Sequence, residues 1–133
     1  MVLEQDFANT IQELVKHEFA TIQIGESAIQ IHVLESTKKL SLATTVYRGE
    51  NYIPQSVRQA TLHQSPFARK IHTSLKLNET NFEIQLRYIG DLGTLSKKEF
   101  RLLLEDFAEI ADEWRTYLDD HDQKDRIHVR KPK

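Results

Sequence analysis

Residues Leu95 to Leu118 read LSKKEFRLLLEDFAEIADEWRTYL. Phe100, Leu103, Leu104, Phe107, Ala111, Trp114 and Leu118 recur at steps of three and four, which is one face of an α-helix. Glu105, Asp106, Glu109, Asp112 and Glu113 fall on the opposite, solvated face. Ser96-Lys-Lys-Glu99 is a capping box, in which serine and glutamate side chains take up N–H groups that the first turn leaves unpaired. An apolar stripe this wide needs a broad hydrophobic partner. The search for that partner leads upstream.

From Thr21 the apolar period is two. Ile22 and Ile24 alternate, Gly25-Glu26-Ser27 turns, and Ile29, Ile31 and Val33 alternate against Gln30 and His32. That is a hairpin. After the polar turn Ser36 to Lys39, Leu40, Leu42, Thr44 and Val46 mark a third strand, so a three-stranded meander is expected. Leu75 and Leu77 flank Lys76 in a short fourth strand, Asn78 to Asn81 turns, and Phe82, Ile84, Leu86 and Tyr88 form a fifth. Leu3 to Phe19 reads as a first amphipathic helix, with Leu3, Phe7, Ile11, Leu14 and Val15 on its apolar stripe. Between the two groups of strands a middle helix is expected from Gln55, re-started near Ser65-Pro66 and ending by His72, because Pro66 cannot occupy a helix interior.

The chain has 133 residues, 39% apolar and 29% charged, as expected of one globular domain. We place that domain at residues 1–122 and a basic C-terminal tail at 123–133, carrying Lys124, Arg126, Arg130, Lys131 and Lys133, which either folds back on the acidic helix end or forms a flexible arm. A net charge of −2 gives no general case for nucleic-acid binding. Without cysteine there are no disulfides, thiolate nucleophiles or sulfur-based zinc sites. Met1-Val-Leu-Glu has no basic region followed by an apolar core, and no apolar run is long enough to span a bilayer. A cytoplasmic protein without membrane insertion is expected.

Catalytic signatures are missing: there is no glycine-rich phosphate loop, no G-x-S-x-G and no H-E-x-x-H. Asp119-Asp120-His121-Asp122 gathers metal-ligating residue types, but successive helical residues point in different directions, so a polar helix end is the better reading. No enzyme, metal or cofactor is expected. Ile53, Val57, Leu62, Phe67 and Ile71 are the unusual feature. They are many apolar side chains for a short, proline-broken helix, which leaves either this domain's own core or a second polypeptide to cover them.

With these parts in place the sequence resembles the class I type III secretion chaperones, the CesT/SycE-like family. The resemblance is carried best by Leu75-Lys-Leu77, Asn78 to Asn81, Phe82 to Tyr88, the Ser96 capping box, Leu103-Leu104, Phe107, Ala111 and Trp114. It implies an α+β fold, an α/β sandwich of order α-β-β-β-α-β-β-α whose antiparallel sheet packs on helices. It implies dimers formed through the middle helix and adjoining strand, with Ile53, Val57, Leu62, Phe67 and Ile71 at that interface. It also implies that a secreted effector or gatekeeper protein is held in extended form on apolar patches, for which Leu34, Ile89, Phe7 and Ile11 are the candidates. No ATP or metal takes part in that activity. Family homodimers are commonly acidic, whereas this chain is nearly neutral with a basic end, which points to a heterodimer rather than a homodimer. The basic end also resembles heterodimeric gatekeeper chaperones of chlamydiae in which one subunit contacts RNA polymerase. Arg126, Arg130 and Lys131 are the candidate polymerase or partner contacts, and transcription regulation by that contact is the alternative function.

Overall fold

The computed structural model describes residues 4–62, 71–93 and 95–130, with the backbone alone described at Leu62 and over 123–130. Helix α1 (Glu4–His17) leads into strands β1 (Phe19–Ile24), β2 (Ser27–Leu34) and β3 (Lys39–Arg48). Helix α2 (Gln55–Leu62), strands β4 (Ser74–Asn78) and β5 (Glu83–Asp91) and helix α3 (Lys97–Arg130) complete the order α-β-β-β-α-β-β-α. This is the α+β arrangement expected from the sequence.

The strands form one antiparallel sheet in the order β1-β2-β3-β5-β4. Gly25, with φ 59°, opens the tight turn between β1 and β2, a backbone conformation that costs glycine nothing. Burial alternates along the strands as their pleat requires: Ile22, Ile24, Ile29, Ile31, Leu40, Leu42, Ile84 and Leu86 all point to one face. On that face α1 lies against β1 and β2, α3 lies against β3 and β2, and α2 stacks on α3.

The long helix supplies the centre of this core. Phe107, Leu104, Ala111 and Leu118 are fully enclosed, and the buried stripe is wider than the sequence spacing suggested, taking in Ala108 and Ile110. Ser96 Oγ accepts the Glu99 N–H at 3.1 Å and Glu99 Oε1 accepts the Ser96 N–H at 3.3 Å, so the capping box forms as read. Beyond Asp122, where the sequence reading placed the start of a basic tail, α3 continues to Arg130. The acidic residues Asp120 and Asp122 therefore lie inside the helix rather than at its end.

Two further boundaries differ from expectation. Helix α1 stops at His17 because Glu18 adopts a left-handed conformation (φ 59°). The Glu18 N–H donates to the Leu14 carbonyl, and the Glu18 carbonyl accepts from Val33 N–H at 2.9 Å, hooking the helix end onto β2. Phe82 does not begin the fifth strand. It sits in the preceding turn at φ 58°, and its carbonyl accepts the Gly49 N–H at 2.8 Å. The expected second half of the middle helix falls mostly on residues 63–70, outside the described residues, and residues 71–73 are not helical.

Candidate protein-binding surface

The alternation that buries one face of the sheet presents the other to solvent, and among the described residues no helix packs on it. Phe19, His32, Ser41 and Ile89 pair in succession across β1, β2, β3 and β5, so they form one row on this open face. The Phe19 and His32 rings touch, with centroids 4.6 Å apart. Ile89 is 70% exposed and Leu34, in the next row, is 50% exposed. Lys39 and Asp91 complete that next row with a 2.8 Å ion pair, and the Lys39 ammonium holds the Asp91 carboxyl below the usual carboxylate range. The rest of the face is polar or small: Thr21, Gln30, Ala43, Arg87, Gln85 and Thr45. Exposed apolar side chains at one end of an otherwise polar sheet suit a chain that lies across the strands and contributes a few apolar side chains.

A second surface follows the seam between α1 and the start of α3. One stretch is an apolar groove of about 210 Å³ lined by Ile11, Leu14, Val15, Val33, Leu40, Leu92, Leu95 and Phe100, with Glu35 at its rim. Val15 is 80% exposed there. The adjoining stretch is lined by Glu4, Phe7, Ala8, Ile11, Gln12, Lys97, Lys98 and Arg101. Arg101 donates to Glu4 Oε2 at 2.7 Å, and that bond, with Glu105 nearby, raises its pKa further above the ordinary value.

The expected contact residues divide sharply. Leu34 and Ile89 stand on the open face, as read. Ile11 lies half-buried in the seam groove. Phe7 is buried against Phe100, ring centroids 5.8 Å apart, and leaves 8% of its surface exposed. Ile53 and Val57, expected at a dimer interface, are 3% and 0% exposed. Both join the chain's own core, Val57 on α2, which packs on α3, and Ile53 in the segment just ahead of that helix. Ile71 is half-buried on the same core, while Phe67 and the Leu62 side chain lie outside what is described. Arg126 and Arg130 fall in the last turns of α3 where only backbone is described, and Lys131 lies beyond it.

Sequence reasoning missed Phe19 and Val15. Helical spacing reaches as far as Phe19, yet that residue is out of phase with Ala20, Ile22 and Ile24, and its odd position in a period of two marks it as outward. Val15 sits at the margin of the α1 stripe, where the sequence alone does not say whether sheet or solvent meets it.

Among the described residues no three His, Asp or Glu side chains are gathered to hold a metal ion. His121 is held to its own helix, with Nδ1 2.9 Å from the Tyr117 carbonyl and its ring on Tyr117 at 4.5 Å. No helix among the described residues is long and apolar enough to cross a membrane.

No family profile and no curated protein sequence matches this chain. Solved structures do match by fold. A chain of the ExsC–ExsE complex aligns with TM-score 0.62 and 15% identity, over 89% of this chain and 97% of that one. A chain of the HopA1–SchA chaperone–effector complex aligns with TM-score 0.57 and 16% identity, over 84% and 88%. The Yersinia pestis type III secretion chaperone SycH, in complex with a stable fragment of YscM2, gives TM-score 0.56 and 11% identity over 81% and 98%. The chain therefore has the fold of the type III secretion chaperones. At these identities the fold is what is shared.

Proposed function

We propose that this chain is one subunit of a type III secretion chaperone. It binds the N-terminal region of a secreted effector or gatekeeper protein in the cytoplasm, keeps that region extended, and does so beside a second, different subunit. The observation that carries the reading is the one-sided sheet, whose open face exposes Phe19, Ile89 and Leu34 at one end, with the polar His32 and Ser41 between Phe19 and Ile89. The shared fold with chaperone complexes supports it. Recognition of this kind needs no cofactor: apolar side chains of an unfolded segment supply affinity, and the charged surround supplies solubility.

The test is co-expression with N-terminal fragments of secreted proteins encoded nearby, followed by size-exclusion chromatography with light scattering. A complex containing the fragment and a second small subunit is expected with the natural sequence. It is expected to dissociate in the double variant Leu34→Asp, Ile89→Asp, whose sites are exposed and tolerate the change. Fragments that stay unbound, or that bind the double variant equally well, refute the reading.

A further inference from the structure

The seam groove between α1 and the first turn of α3 has a polarity that burial alone does not explain. Ile11 and Lys97 line both of its stretches, so the apolar groove and the basic one are continuous. From Glu4 to Val15 the floor runs eleven residues of α1, roughly 17 Å at helical rise, room for about five extended residues. Glu35 lines the apolar stretch, Lys97 stands where the two stretches meet, and the other stretch carries Lys98 and Arg101 together with Glu4. Arg101 is neutralised by Glu4. Lys97 and Lys98 are exposed, and among the described residues no carboxylate lies within ion-pair distance of either.

Their place in the helix makes those two lysines notable. They come directly after the Ser96 cap and open α3, the end of a helix where the backbone dipole favours anions and disfavours cations. Two adjacent ammonium groups at that end weaken the helix they begin. They are better accounted for by an anionic group that arrives from outside.

We propose that this groove takes a short segment of the bound protein carrying an apolar side chain followed by carboxylates. The apolar side chain seats among Ile11, Leu14 and Leu95, and the carboxylates lie over Lys97 and Lys98. Glu35 in the apolar stretch repels the reversed orientation, so the groove reads the direction of the segment as well as its composition. The inference rests on the chaperone reading above and names the chemistry of one part of its substrate.

The test uses three eight-residue peptides with a common Leu-Ala-Ile-Leu half, ending in Glu-Glu, Gln-Gln or Lys-Lys. Each is titrated into the isotopically labelled full chain and followed by amide chemical shifts. The Glu-Glu peptide is expected to bind about tenfold more tightly than the Lys-Lys peptide in low salt, moving Ile11, Leu14 and Lys97 amides. The double variant Lys97→Glu, Lys98→Glu is expected to reverse that ranking while its melting temperature rises, since the helix dipole is then satisfied. A purely structural role for the lysines predicts the opposite change in stability. Equal binding of all three peptides overturns the inference, as does a shift pattern on another surface or a double variant that loses stability. If secreted-protein fragments bind the whole chain with no dependence on Lys97 and Lys98, this inference fails and the chaperone reading stands. If no fragment binds at all, the chaperone reading fails.

Discussion

Replacing Val57 by alanine separates a core residue from an interface residue in a single experiment. Val57 has 0% of its surface exposed in the lone chain, between α2 and α3, and Ser56 Oγ fastens the same turn to the His121 carbonyl at 3.2 Å. The substitution removes two buried methyl groups, about 1.6 kcal/mol of transfer free energy. The cavity they leave adds to this, since a two-helix contact relaxes only partly, and the total is about 2 kcal/mol. For a chain of this length that corresponds to a melting temperature lower by roughly 6–10 °C. The assay is urea unfolding of the isolated chain, with Gln59→Ala, an exposed position on the same helix, as the control expected to change stability by less than about 0.5 kcal/mol. Were Val57 instead to face a partner subunit, Val57→Ala would leave the isolated chain unchanged and weaken only the assembly. A loss under about 0.5 kcal/mol in the lone chain therefore refutes the placement of α2.

Gly49→Ala is expected to destabilise by about 1–3 kcal/mol, because an added Cβ runs into the Tyr52 carbonyl and presses on that of Phe82, whose hydrogen bond to Gly49 N–H anchors the β4–β5 turn to the end of β3. Thermal unfolding checks it, and an unchanged midpoint counts against this geometry. Acid should loosen the contact between α2 and the same turn, where Arg58 donates two bonds, 2.6 and 2.7 Å, to the Glu79 carboxylate and holds its pKa below the ordinary value. A carboxyl with a depressed folded-state pKa contributes stability that is present above its unfolded value, near 4.5, and is lost as pH falls through the folded one. Melting temperatures from about pH 6 to about pH 2.5 should therefore fall less steeply for Glu79→Gln than for the natural chain, and identical profiles would remove the ion pair from the account.

Much of the fold was legible because the two periods hardly overlap. Ile29, Ile31 and Val33 alternate too strictly for a helix, and Phe100 to Leu118 recur too regularly at three and four for a strand. Boundaries were less legible where the backbone itself decides. Nothing in the side-chain pattern announces that Glu18 and Phe82 take left-handed conformations, since neither is glycine or asparagine and tertiary hydrogen bonds hold both in place. The continuation of α3 past Leu118 was hidden for a different reason. Its apolar stripe ends there, and the residues beyond Leu118 carry charge rather than apolar side chains at helical spacing, so a hydrophobic period has nothing to report.

The binding surface was only half legible, and the reason is geometric. Alternation says that Leu34 and Ile89 oppose Val33 and Leu40, but it does not say which of the two faces the helices choose. That choice falls on the side where Phe107, Leu104 and Trp114 find Leu42, Ile31 and Leu86, and every apolar residue out of phase with those strands is then left outside. The same packing explains why Ile53 and Val57 are buried in this chain. Counting apolar residues between Ile53 and Ile71 suggested more than a small sheet can cover, but α2 does not have to rest on the sheet. It rests on α3, whose length supplies a second wall, so the apolar surplus moves from the middle helix to the open face and the α1 seam. On the proposed chaperone reading, a partner protein is met where the helices are absent rather than where the apolar residues are most concentrated in the sequence.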